Sequence, residues 1–259
     1  MENNSKIARR IVEAAIPYLK GKTVTDLAVG LSLITCQLSD GAVGLSYVLR
    51  YGLPPQCSAF GFAQSVIGRP AEEIARWLVT GQDNVQRSIG CSVLTAASQE
   101  LNIPDDNDPD KRFGIEFNEG DTVGMIGLIG PVAQMLEKKV KKLIIFDESV
   151  SAFGENAKVC KMEQQPLLLP KCNKMIITGS SIINGSIDGL LEMCSNAEEI
   201  AMVGSSTPMF REAWKDTKVT RLAGAWWKRE CKDEIFKVVS LSGGIAHLKG
   251  YIIHKAVSV

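Results

Sequence analysis

Residues 122–149 read TVGMIGLIGPVAQMLEKKVKKLIIFDES. TVGMI is a short apolar run that contains Gly124 and passes into a loop carrying Gly127 and Gly130. Pro131 follows at a first helical position, where a missing N–H costs nothing, and opens PVAQMLEKKV; KKLIIFDES is a second apolar run that closes on Asp147 and Glu148. Strand, glycine loop, helix, strand is the unit of a parallel sheet, because parallel neighbours need a long crossover and a helix supplies it.

The alternation continues downstream. MIITGSS (175–181) is a strand and loop, INGSIDGLLEMC (183–194) a helix, EEIAMVGSST (198–207) a strand and loop, and PMFREAWK (208–215) a helix. VTRLAG (219–224) adds a short strand and GYIIHKAVSV (250–259) a final edge strand. The second half is therefore expected to be a Rossmann-like domain with a mostly parallel sheet.

Upstream the pattern differs. Ile7, Ile11, Val12, Ala15, Ile16 and Leu19 lie on one helical face that Gly21 ends. VTDLAVG (24–30), LSLITCQL (31–38) and AVGLSYVL (42–49) are strands, and Asp40-Gly41 between the last two signals a hairpin. After a stretch holding Pro54, Pro55 and Gly61, a helix is expected over Pro70–Thr80 with Gly81 as its stop, and another from an Asn84 N-cap to about Leu101. An antiparallel meander followed by helices makes an α+β domain. IPDDNDPDKRFG (103–114) disfavours helix and strand alike. The expected organisation is an α+β domain over 1–104, a linker over 105–118 and the Rossmann-like domain over 119–259, α/β overall.

Composition narrows the function classes. Lys plus Arg equals Asp plus Glu at 29 each, so no global field draws nucleic acid or an anionic membrane. No run approaches the roughly 20 apolar residues of a membrane span, and the N-terminal segment MENNSKIARRIVEAAIPYLKGK reads as a helix rather than a signal. Cys36, Cys57, Cys91, Cys160, Cys172, Cys194 and Cys231 are scattered without a C-x-x-C pair, which fits reduced thiols in a cytoplasmic protein. With only His247 and His254 as imidazoles, no metal site is readable. No cofactor is named by any motif.

The chemistry is expected at three strand-to-helix junctions: Gly124, Gly127, Gly130 and Pro131; Gly179, Ser180 and Ser181; Gly204, Ser205, Ser206, Thr207 and Pro208. In a parallel sheet all three fall on one edge, where ligands bind beside the carboxyl ends of the strands. Free amides and short hydroxyls there suit anionic oxygens; tight strand–helix packing is the plain structural alternative. Asp147, with Glu148 as alternative, stands where a dinucleotide-type fold commonly puts a ribose-binding acid; a capping acid is the other reading. Asn184 either presents its amide to the ligand or caps a helix, and Asp188 follows it. First-domain contributors are Thr35, Cys36, Gln86 and Arg87, with a buried thiol the favoured reading of Cys36 and a solvated guanidinium that of Arg87. Trp226-Trp227 is expected to pack a domain or subunit contact, which leaves a homodimer open, and KRECKDE (228–234) to be a solvated helix start.

VTDLAVG, SDGAVGLS, PLLLPKCNKMIITGSSIINGSIDGLLE, IAMVGSSTPMF and RLAGAWW, taken in this order, resemble the putative heavy-metal-chelation family, domain of unknown function 364, over nearly the whole chain. The resemblance implies an enolase-N-terminal-like domain, then an atypical Rossmann-like domain, with a site in the cleft between them. It implies condensation or hydrolysis of pterin-, flavin- or siderophore-like molecules, or a role in metal chelation. Gly127, Gly130, Pro131, Asp147, Gly179, Ser180, Ser181, Gly204, Ser205, Thr207 and Pro208 would surround that cleft. Where some members carry an acid, this chain has Gln86, and an amide cannot serve as general acid or base. Three functions follow as expectations: an enzyme acting on a small anionic or heterocyclic ligand, a non-catalytic carrier of a chelated metal or nucleotide-like ligand, and an S-adenosylmethionine-dependent methyltransferase-like enzyme.

Overall fold

The computed structural model describes residues 3–49, 62, 65–107, 112–153 and 158–259; the expectations for Pro54, Pro55, Cys57 and Gly61 lie outside them. Helix α1 (Lys6–Leu19) starts on Ser5, whose side chain accepts from the Ala8 amide, and buries Ile7, Ala8, Ile11, Val12, Ala15 and Leu19. Strands β1 (Val24–Val29), β2 (Leu33–Leu38) and β3 (Val43–Tyr47) form the expected antiparallel meander in the order β1-β2-β3. Asp40 accepts from the Ala42 amide at 3.0 Å in the β2–β3 turn.

The helix expected over 70–80 is two short ones, α2 (Ala71–Ala75) and α3 (Trp77–Thr80), separated at Arg76. Helix α4 (Asn84–Ala97) is capped one residue earlier than expected, by Asp83, whose carboxylate accepts from the Gln86 amide at 2.9 Å. It lies across the meander, where the Thr95 hydroxyl accepts from the Leu45 amide at 3.0 Å and donates to its carbonyl at 3.1 Å.

The second half supplies β4 (Thr122–Ile126), α5 (Gly130–Leu136), β5 (Lys142–Phe146), α6 (Glu148–Phe153), α7 (Gln165–Leu168), β6 (Lys174–Thr178), α8 (Ser180–Ile183), α9 (Ile187–Met193), β7 (Glu199–Val203), β8 (Arg221–Trp227), α10 (Lys232–Ser240) and β9 (Ile252–Ser258). These strands make a six-stranded sheet ordered β5-β4-β6-β7-β8-β9, parallel from β5 to β8, with β9 antiparallel at the edge. The chain passes from β4 to β5 on one side and then returns to β6 on the other. That reversal is the topological switch point, and its crevice opens at the carboxyl ends of β4 and β6.

Three local expectations are corrected. The helix expected over 183–194 is shortened to α9, and a separate α8 starts in residues expected to be loop; Gly185 between them takes the left-handed φ of 75° that an L-residue disfavours. PMFREAWK is not an α-helix: only a 3-10 turn forms over Arg211–Trp214, so Pro208 heads no helix. The Met209 amide instead donates to Ser98 Oγ at 2.9 Å, and Met209 and Phe210 are buried as core residues. VTRLAG understates β8, which runs to Trp227.

Trp227, 2% exposed, packs in one cluster with Leu33, Val43 and Leu45 of the meander and with Ile235 and Phe236 of α10. A contact between the two sheets within one chain thus accounts for this tryptophan. A larger cluster joins Ile11, Cys36 and Ile89 of the first half to Met175, Ile177 and Met202 of the second. The two sheets therefore share buried apolar surface, which fixes the walls of the cleft between them.

Candidate functional site

A cavity of about 1010 Å³ lies at the switch point. The six-stranded sheet contributes Gly127, Leu128 and Pro131 after β4, Phe146 at the end of β5 with Asp147 and Glu148 after it, Thr178 at the end of β6 with Ser180, Ser181 and Asn184 after it, and Gly204 and Ser205 after β7. The opposite wall comes from the first half, through Ser32, Tyr47, Val48, Leu49 and Asn84. Asp106 and Phe113, from the stretch expected to be a linker, and His254 of β9 also line it.

Of the sequence-derived candidates, Gly127, Pro131, Asp147, Ser180, Ser181, Asn184, Gly204 and Ser205 line the cavity, whereas Gly130, Gly179, Thr207 and Pro208 do not. A Cβ on Gly179 would stand 2.4 Å from the Ser206 carbonyl oxygen and 2.7 Å from the Thr207 nitrogen, so this glycine serves loop-on-loop packing. Ser206 in turn accepts from the Tyr47 amide at 2.8 Å, and the Cys91 thiol donates to its carbonyl at 3.4 Å. The loop after β7 is thereby latched to the first half. Thr207 is buried, and its hydroxyl has no hydrogen-bond partner among the described residues.

The first-half candidates do not line the cavity either. Thr35 donates to the Gly44 carbonyl at 3.0 Å between strands. Cys36 is fully buried, and burial pushes its thiol up to about 12, which makes it a poor nucleophile. Gln86 accepts from the Gln82 amide at 3.2 Å, and Arg87 donates to the Gly81 carbonyl at 3.1 Å, so both brace the loop before α4.

Asp147 combines cavity lining with a capping role. Its Oδ2 accepts from the Leu128 amide at 2.7 Å, and its Oδ1 accepts from Ser149 Oγ at 2.6 Å and the Val150 amide at 3.0 Å. The carboxylate ties the β4–α5 loop to the start of α6. Asp147→Ala is expected to cost about 1–2 kcal/mol, the loss of a helix cap, and thermal denaturation would measure it; an unchanged midpoint would refute the tie. Asn184 is the C-cap of α8, and its Oδ1 accepts from the Ser186 amide at 3.1 Å.

Tyr47, Phe113, Asp106 and His254 escaped sequence reading because no junction motif marks them. Tyr47 ends β3, and burial raises its phenol above the ordinary range, so the ring stays neutral. Phe113 has a φ of 59°, left-handed backbone that costs an L-residue roughly 1–2 kcal/mol. Among the described residues no group of three or more His, Cys, Asp or Glu side chains is arranged to hold a metal ion. Burial pushes the Cys172 and Cys194 thiols up to about 11 and about 12, away from the thiolate a metal requires. No helix of the described residues is long and apolar enough to cross a membrane.

A family model described as putative heavy-metal chelation, DUF364, matches residues 112–258, and a second model of the same description, DUF4213, matches residues 12–98. An uncharacterized protein of Methanocaldococcus jannaschii is 26% identical over 143 residues, an alignment that covers 54% of this chain and 54% of that protein. The chain thus spans about half the length of this relative. The crystal structure of a DUF364 protein of unknown function from Pyrococcus horikoshii superposes with a TM-score of 0.80 at 20% identity, covering 98% of this chain and 100% of that one. A DUF364 protein of unknown function from Desulfitobacterium hafniense gives a TM-score of 0.76 at 18% identity, covering 97% and 99%. At these identities the likeness is one of fold.

Proposed function

The chain belongs to the DUF364 family, described as putative heavy-metal chelation, and from that premise we propose that it binds a small heterocyclic ligand in the cleft between its two sheets. The observation that carries this reading is the cavity of about 1010 Å³ at the switch point, with walls from both halves of the chain. Such a volume lies at the upper end of small-molecule sites, and an apolar lining with a few placed polar groups is their usual make-up. Here Leu49, Val132, Phe146 and Leu190 supply the apolar part, and Thr178, Ser180, Ser181 and Ser205 supply hydroxyls. Chelation, on this reading, belongs to the ligand, which brings the metal-binding atoms itself.

Binding without turnover is the form of the reading that the side chains favour. Cys36, the candidate nucleophile, stands outside the cavity and is held as a thiol by burial. The working picture is a carrier or sensor of a chelator-like molecule, held between the strand ends of the six-stranded sheet and the first-half residues around Tyr47.

Native mass spectrometry of freshly purified protein tests the proposal. A specific copurifying mass is expected, or stabilisation on screening pterins, flavins and metal-chelating metabolites. A ligand at a hundred times its Kd stabilises by about 2.7 kcal/mol, which for a chain of this size is roughly 5–10 °C in Tm. Ser180→Phe, which places a ring in the cleft, should abolish that stabilisation or reduce affinity at least ten-fold while the free protein melts normally. Undiminished binding by this variant would move the ligand out of the cleft.

A further inference from the structure

We propose that the ligand presents no phosphate to the sheet edge, and that the cleft takes an uncharged or cationic nitrogenous ring. This rests on the reading of the cleft as the ligand site and narrows its chemistry.

A phosphate at a switch point needs free backbone donors and the positive end of a helix. The first donor at each junction is already committed. The Gly127 amide donates to the Phe146 carbonyl at 2.8 Å, Gly179 to Val203 at 2.9 Å and Gly204 to Ala223 at 2.9 Å. Each junction glycine carries the parallel ladder one residue past its own strand, onto the last residue of β5 or β7 for Gly127 and Gly179 and onto the third residue of β8 for Gly204. The next amide after β4, that of Leu128, is taken by Asp147 at 2.7 Å. A side-chain anion of the protein therefore occupies the donor that a ligand anion would use.

The helices are also too short to compensate. Helices α5, α6 and α8 have 7, 6 and 4 residues, and the loop after β7 leads only to a 3-10 turn. The charged side chains of the described lining are Asp106, Asp147 and Glu148. Their charge repels a phosphate, which carries about −1.5 to −2 at neutral pH, and the exposed Glu148 carboxylate favours ring N–H groups or a protonated amine. Tyr47 and Phe113 add aromatic rings to the lining, which suit a planar or cationic partner.

The test uses matched pairs that differ only in phosphate: riboflavin against flavin mononucleotide, and adenosine against adenosine 5′-monophosphate. Calorimetric titration of the full chain should show the unphosphorylated member of at least one pair binding ten-fold or more tighter than its phosphorylated partner. Inorganic pyrophosphate should leave Tm unchanged. Glu148→Gln, which removes an exposed lining charge, should narrow the gap within a binding pair. Equal or tighter binding of the phosphorylated members, displaced by Ser180→Phe, would overturn the inference and leave the cleft reading intact. Binding that Ser180→Phe does not affect, or no binding by any probe and no copurifying mass, would overturn the cleft reading and this inference with it.

Discussion

Gly179→Ala is expected to lower the melting temperature by roughly 6–12 °C, the equivalent of about 3 kcal/mol of overpacking in a chain of this length. The added Cβ would stand 2.4 Å from the Ser206 carbonyl oxygen, 2.5 Å from its carbon and 2.7 Å from the Thr207 nitrogen. All three are backbone atoms, so no side chain can swing away, and relief requires separating the loops after β6 and β7. That separation pulls on Ser206, which accepts from the Tyr47 amide at 2.8 Å and holds the two halves together. Gly130→Ala is the control. A Cβ there meets nothing within 4 Å, and the change should stay within about 0.5 kcal/mol, as surface substitutions do. Equal melting of the two variants would refute the packing role of Gly179.

Asp121→Asn is expected to cost up to about 3–5 kcal/mol at neutral pH, the usual range for removing one charge of a buried ion pair. Asp121 lies just before β4 and Lys174 opens β6, with Asp121 Oδ2 and Lys174 Nζ 3.1 Å apart and each side chain 9% exposed. Asp121 also accepts from the Asn118 amide at 2.7 Å and from Asn173 Nδ2 at 2.8 Å, while the Asn173 oxygen accepts from the Thr122 amide at 2.8 Å. Lys174 further reaches Glu199 at 3.5 Å and donates to the Glu116 carbonyl. The cluster pins the entry of β4, β6 and β7 at the edge opposite the cleft. Burial alone would raise the Asp121 pKa, but its bonds to Asn173, the Asn118 amide and Lys174 outweigh burial and hold it below the ordinary range. A lowered folded pKa stabilises above the unfolded value, about 3.9, and that contribution is lost as pH falls through the folded pKa. The gap between wild type and Asp121→Asn should therefore be full at pH 7 and shrink in acid below about pH 4. Urea melts at both pH values would show it; an equal gap in acid would assign the loss to packing rather than charge.

Periodicity and junction chemistry were sufficient for the architecture. TVGMIGLIG-PVAQMLEKKV-KKLIIFDES specifies a parallel crossover because its apolar runs and glycines are local signals. The Asp40-Gly41 hairpin specifies the meander for the same reason. The same signals located the cavity edge, since Gly127, Asp147, Ser180 and Gly204 follow directly from where strands end.

The tertiary structure alone decided what those residues do. Whether a junction amide is free for a ligand depends on the neighbouring strand, and here Phe146, Val203 and Ala223 take the amides of Gly127, Gly179 and Gly204. Whether Asp147 meets a ligand or a cap depends on the Leu128 amide reaching its carboxylate. The far wall of the cleft, with Tyr47, Phe113 and His254, exists only because buried apolar surface draws two sheets together across sequence separations that no local pattern encodes.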